Sequence, residues 1–243
     1  MPKSNGEVRE RPRDLVTSTL AKQILSGFFA PGAKLPTETE LGEQLGVSRT
    51  ALRESIRTLA GKGLIESKTR SGTIVLSPSQ WNHLDPELLG WREELAPDLD
   101  FARSLTEARH VIEPAAAHFA AERATGQDLG RMQDSFDAMR QADARDIEAS
   151  VRADESFHLA VLAASHNPVF INFGSMIGTA LRNAFRLTTS ASENFAATLD
   201  MHGEVLEAIR MRRPDEAGKR MAALLDLASR DLAKVIAQGS REK

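Results

Sequence analysis

The chain has 243 residues, 41% of them hydrophobic and 27% charged, enough to give each of two modest domains its own core. It contains no cysteine, which excludes disulfides and thiolate metal sites, and no run approaches the roughly 18 apolar residues of a membrane helix. The net charge of −3 is unevenly spread: residues 1–80 hold 12 Lys and Arg against 8 Asp and Glu, the remainder 19 against 26, as expected of a polyanion-binding head carried by an acidic partner domain.

The first stretch, MPKSNGEVRERPRD, is basic and lacks an apolar leader core, so residues 1–11 read as a flexible basic arm of a cytoplasmic protein. From Asp14 the pattern turns helical, with Leu15, Leu20, Ile24 and Leu25 near helical spacing and Gly27 and Pro31-Gly32 ending the segment. Thr37 and Glu40 form a capping box ahead of Leu41 and Leu45, and Gly46 closes that short helix. Ser48 caps a third helix, SRTALRESIRTLAGKG, whose Leu52, Ile56 and Leu59 share a face. LIESKTRSGTIVLS then gives two short strands, Leu64 to Ser67 and Thr73 to Leu76, joined by a basic turn. Three helices followed by a hairpin is the order of a winged helix-turn-helix, here spanning 12–78.

The next segment, 79–98, carries both tryptophans between prolines and reads as a packed linker. From Leu99 onward no strand alternation appears. Helical segments are expected near 99–124, 127–141, 146–165, 168–188, 193–212 and 215–237, separated by Gly126, Asn167-Pro168 and Arg213-Pro214. The second domain, 99–240, is therefore expected to be an all-α antiparallel helical bundle, giving a mainly α protein overall.

A recognition helix shows one apolar stripe to its core and offers its N-terminal outer face to the major groove. With Leu52 and Ile56 inward, Ser48, Arg49, Thr50 and Arg53 stand outward. Arginine can bind guanine O6 and N7 in bidentate fashion, and the hydroxyls reach bases or phosphates. Lys68 and Arg70, before Gly72, fall where a wing meets the neighbouring groove. A solvated amphipathic helix beside an ordinary hairpin is the competing reading, and the ordered run of short helix, glycine turn, basic helix and basic wing weighs against it.

PGAKLPTETELGEQLGVSRTALRESIRTLAGKGLIESKTRSGTIV resembles the winged helix of GntR-type transcription regulators. EARHVIEPAAAHFAAERAT, ADESFHLAVLAASHNP and MHGEVLEAI are similar, in order, to the FCD ligand-sensing domain of the FadR subfamily, and SQWNHLDPELLGW to the linker of sugar-acid (galactonate-type) operon repressors. The resemblance implies that Arg49 and Arg53 read bases, supported by Ser48 and Thr50, with the Gly72 turn as wing. Thr39 departs from the pattern, where many members carry arginine.

Asp154 and His158, four residues apart, stand one above the other beside Phe157, Val161 and Ala164. His202 is followed by Val205, Leu206 and Ile209 at core spacing, so it points inward. One carboxylate oxygen and two imidazoles suit Zn²⁺, Mn²⁺ or Ni²⁺, while a hydrogen-bonded core histidine is the plainer reading. The resemblance places Asp154, His158 and His202 at metal-ligand positions of the FCD pattern, with Leu224 where a further histidine is usual. Arg109 shares a face with Leu105, Ile112 and Ala116 and needs an anion. Either Glu113 supplies it or, as the resemblance implies, an effector carboxylate does. Asn167 and Arg182 are further effector candidates, although Asn167 can equally cap the next helix. Pro114 is expected to kink its helix.

These readings converge on a homodimeric DNA-binding regulator, a repressor of a sugar-acid or related carboxylate operon on a palindromic operator, and not an enzyme. A metal-dependent enzyme built on Asp154, His158 and His202 is the alternative of another class; against it, no HExxH, phosphate loop or nucleophile motif is present. A metal-free acyl-CoA-type sensor of the same fold is the third.

Overall fold

Helix α1 (Pro12–Leu25) turns Val16, Leu20, Ala21 and Ile24 inward and buries Thr17 and Ser18 beside them. Leu15, placed on the apolar stripe by its spacing, is instead 55% exposed, because the buried face is centred on Leu20 and leaves Leu15 on its far side. Helix α2 (Glu38–Leu45) starts at the Thr37–Glu40 capping box and ends at Gly46, which is left-handed at φ 65°. Helix α3 (Arg49–Gly61) starts at Ser48, whose hydroxyl accepts from the Ala51 N–H. The hairpin strands β1 (Ile65–Lys68) and β2 (Gly72–Val75) pair antiparallel from Ile65 opposite Val75 to Lys68 opposite Gly72, a residue displaced from the expected bounds, and Lys34 bridges to Ile74. Gly72 opens β2 at φ 82°.

The computed structural model describes residues 12–68, 72–142, 146–187 and 191–239. The chain divides into two compact units, Met1–Leu95 and Ala96–Lys243. The tryptophan segment belongs to the first: Trp81 and Leu88 join the winged-helix core, and the Trp81 indole N–H donates to the Leu76 carbonyl at 3.1 Å. Helix α4 (Pro86–Glu93) is capped by Asp85, and that carboxylate also receives Lys62 from the end of α3 at 2.7 and 2.8 Å. Between them Gly63 sits at φ 75°, with Gln80 so close that a Cβ would lie 2.2 Å from its carbonyl oxygen.

The second unit is built from α5 (Leu99–Arg123), α6 (Gly126–Gln141), α7 (Ile147–Ala164), α8 (Pro168–Asn172), α9 (Gly174–Leu187), α10 (Ala191–Arg210) and α11 (Pro214–Gly239). Alanines 116, 117, 120 and 121 of α5 are fully buried, and small side chains there let α11 approach closely. Helix α5 runs unbroken through Pro114, whose carbonyl lies against Gly218. The single helix expected over 168–188 is two: the Phe173 N–H tightens back onto Phe170 and Ile171, ending α8, and the Phe173 carbonyl then accepts from Ile177 in α9. Phe157, Met132, Met139, Leu206, Ile209, Met221 and Leu224 fill the bundle core. Each such side chain contributes roughly 1.5–3 kcal/mol through burial. Among the described residues no helix is long and apolar enough to cross a membrane.

Candidate functional site

The outer face of α3 carries the polar groups the sequence places there. Ser48, Arg49, Thr50 and Arg53 are exposed, while Leu52, Ser55, Ile56 and Leu59 are buried beneath them. Ser48 is occupied as cap acceptor, which leaves its hydroxyl hydrogen free to donate outward. Arg53 donates from Nε to Glu38 of α2 at 2.9 Å. In the hairpin, Lys68 pairs with Glu66 at 3.0 Å, Gly72 begins the return strand, and Arg70 lies outside the described residues.

In the bundle, α7 and α10 bring together three ligand atoms. The Nε2 atoms of His158 and His202 are 3.4 Å apart, and Asp154 Oδ1 is 3.0 Å from the second and 3.9 Å from the first. Asp154, His158 and His202 form the one group of three potential metal ligands found among the described residues. Both rings are fixed from behind. The His202 Nδ1–H donates to the Thr198 carbonyl at 2.6 Å, and the His158 Nδ1–H donates to the Glu113 carboxylate. Phe157 meets both rings edge to face, at centroid distances of 5.1 Å from His202 and 6.0 Å from His158.

Those bonds assign the tautomer: with hydrogen on each Nδ1, two Nε2 lone pairs and a carboxylate oxygen face one another. Three acceptors in a buried space need a cation between them, either a proton or a metal ion. A tetrahedral ion with bonds of about 2.0–2.2 Å sets its ligands about 3.3–3.6 Å apart, the middle of the range observed here. The donor set therefore fits a first-row divalent ion. The bonds from each Nδ1–H to a carboxylate or carbonyl are those that make an imidazole a good ligand.

Electrostatics in the site are tightly set. Burial alone would raise the Asp154 carboxyl; where protons rather than a metal ion fill the site, the hydrogen bond from the protonated His202 and the positive field of His158, His202 and Arg109 bring it instead down to about 2. Burial likewise opposes ionisation of Glu113, and Arg109 and His158 overcome it, again to about 2. Arg109 is 4% exposed and its Nε donates to Glu113 at 2.5 Å, so the structural partner weighed from sequence is present. Glu113 thus joins Arg109 to His158, a role its sequence position did not reveal because His158 lies 45 residues away.

The other candidates are elsewhere engaged. Asn167 caps α8, its Oδ1 accepting from the Val169 N–H at 3.0 Å. Arg182 binds Glu155 at 2.5 Å, packed over Gly178. Leu224 is buried in the bundle core with Met221 and Leu225.

The family model for FCD domains matches residues 104–227, and that for bacterial regulatory proteins of the gntR family matches residues 12–75. This chain belongs to the GntR family of transcription regulators. The galactonate operon transcriptional repressor of Escherichia coli (strain K12) is 37% identical over 223 residues, covering 91% of this chain and 97% of that protein. The Uxu operon regulator of Haemophilus influenzae is 27% identical over 229 residues, 89% of this chain and 83% of its own. Among solved structures, Lar of Listeria monocytogenes shares the fold at a TM-score of 0.66, with 20% identity over 96% of this chain and 99% of that one. The enzyme alternative falls with the family: this GntR-type chain is a transcription regulator.

Proposed function

We propose that this GntR regulator is a cytoplasmic repressor of a sugar-acid or related carboxylate catabolic operon. It binds a palindromic operator as a homodimer, through Ser48, Arg49, Thr50, Arg53 and the Lys68–Gly72 wing with Arg70. A small carboxylate effector bound at a metal-containing site in the bundle modulates that binding. The similarity to a galactonate operon repressor supports the choice of operon, and the pairing of one winged helix per half-site supports the dimer.

The observation that carries the effector class is the charge balance of the buried site. Arg109 contributes +1, Glu113 and Asp154 −1 each, and the two imidazoles are set by their Nδ1 bonds to act as neutral ligands. Asp154, His158 and His202 would hold a divalent ion, Zn²⁺, Mn²⁺ or Ni²⁺, which acts as a Lewis acid toward an incoming oxygen ligand. The loaded site then carries one net positive charge, and a monocarboxylate neutralises it. Glu113 holds Arg109 by Nε, leaving its terminal amino edge without a described partner for a carboxylate. Asn167, whose Oδ1 caps α8, and Arg182, which is bonded to Glu155, are secondary to Arg109.

The test is a thermal-shift titration with Zn²⁺, Mn²⁺ or Ni²⁺ and a panel of sugar acids, paired with band shifts on DNA from upstream of its own gene. A metal-dependent rise in Tm with one sugar acid, together with altered DNA retention, is expected. A metal content near zero after chelator-free purification, no response to added ion and no change on His158→Ala would overturn the metal site. Absence of any salt-sensitive DNA shift would overturn the regulator's proposed address.

A further inference from the structure

The two arginines on the outer face of α3 are held differently. Arg49, in the first turn, has no hydrogen-bond partner among the described residues, whereas Arg53, one turn later, is bonded across to α2 by Glu38 at 2.9 Å. Both members of that pair are exposed, at 66% and 44% of their side chains. An exposed ion pair contributes little to folding, and an acidic residue in the first turn of α2 adds only a small increment through the helix dipole, a modest return for a carboxylate on a surface meant for a polyanion.

From this geometry we infer that Glu38 is a specificity-determining positioning residue for Arg53. The inference rests on the reading of Arg53 as a base-contacting side chain. A guanidinium has two edges that can bind in bidentate fashion, Nε with one terminal nitrogen, and the two terminal nitrogens together. Glu38 takes the Nε edge, so Arg53 presents its terminal edge, the shape that matches guanine O6 and N7.

Glu38 is itself well anchored. It is the first residue of α2, whose start is fixed by the Thr37–Glu40 box: the Thr37 N–H donates to Glu40 Oε2 at 2.8 Å and the Glu40 N–H to Thr37 Oγ1 at 3.3 Å. The chain of constraint runs from the capping box to the α2 terminus, to the Glu38 carboxylate, to the guanidinium. An arginine already oriented loses less freedom on binding its base, which favours the correct base over the others. The same carboxylate repels phosphates wherever Arg53 finds no guanine to bind. Glu38 therefore raises discrimination from both sides, strengthening the cognate contact and weakening the non-cognate one.

The test uses the full-length protein and a pool of randomised duplexes, sequenced before and after capture. The selected duplex and its single base-pair variants then serve for affinity measurement with wild type, Arg53→Ala, Glu38→Ala, Glu38→Gln and the double variant. Arg53→Ala identifies the base pair that Arg53 reads. Glu38→Ala is expected to lower discrimination at that base pair about tenfold while affinity for random duplex rises or holds. Glu38→Gln is expected to retain part of the discrimination by keeping the acceptor. In the Arg53→Ala background, Glu38→Ala is expected to change discrimination no further. If Glu38→Ala shifts cognate and random duplex by one common factor, or loses both with a lowered Tm, the positioning role is overturned. If Arg53→Ala alters no base preference, the underlying reading of Arg53 fails instead, and the two failures are told apart.

Discussion

Glu113 joins the buried arginine to the buried histidine, and its two duties can be separated by one substitution. Glu113→Gln preserves volume and keeps an oxygen for the His158 Nδ1–H, but removes the charge that balances Arg109. Leaving an arginine buried without its partner costs about 3–5 kcal/mol, to be read in urea melts. If Glu113 also sets the basicity of His158 as a ligand, affinity for Zn²⁺ falls roughly 10–100-fold in competition with a chelating indicator. A loss of stability with unchanged metal affinity would leave Glu113 as counter-ion alone. The Asp154–His158 spacing and the inward face of His202 were readable from sequence because they obey helical periodicity. The bonds that orient them were not. Glu113 meets His158 only through the packing of α5 on α7, and the Thr198 carbonyl that fixes His202 is a backbone group no side-chain pattern announces.

Among elements, the winged-helix boundaries were legible wherever a cap supplied a local signal, as at Thr37–Glu40, Ser48 and Gly46. The same signal at Thr125–Asp128 marks the start of α6 a residue earlier than expected. Legibility failed where distant segments decide the outcome. The ion pair of Lys62 with Asp85 and Glu87, with the Lys62 ammonium 5.5 Å over the Trp91 ring, ties α3 to α4 and makes part of the supposed linker integral to the first unit. That junction turns on Gly63, which combines a left-handed backbone with a close approach of the Gln80 carbonyl. Gly63→Ala meets both obstacles, since the left-handed region costs a non-glycine residue roughly 1–2 kcal/mol and the contact with fixed backbone adds to it. A drop in the first unit's unfolding free energy of at least about 2 kcal/mol is expected from chemical denaturation followed by tryptophan fluorescence, because Trp81 is in that core. A change within about 0.5 kcal/mol would mean the turn relaxes at little cost.

For the whole molecule the decisive quantity is coupling, because a ligand binding equally well to both DNA-competent and DNA-incompetent states shifts neither. If the buried site takes a metal ion and then a carboxylate to reach charge neutrality, each must strengthen the other by the same factor. A coupling of 1–3 kcal/mol, about 5–150-fold, is the usual range for such linkage. Calorimetric titration of a sugar acid into metal-free and metal-loaded protein, and of the metal with and without the acid, reads the factor in both directions. Arg109→Met separates its sources: it removes the positive charge that Glu113 anchors but leaves Asp154, His158 and His202 in place. The acid should then bind more weakly to loaded protein, by 10-fold or more, while the ion, relieved of a neighbouring positive charge, is retained. Were Arg109→Met to abolish metal retention and leave acid binding intact, the arginine would belong to the architecture of the metal site and the carboxylate would have to be recognised elsewhere in the bundle.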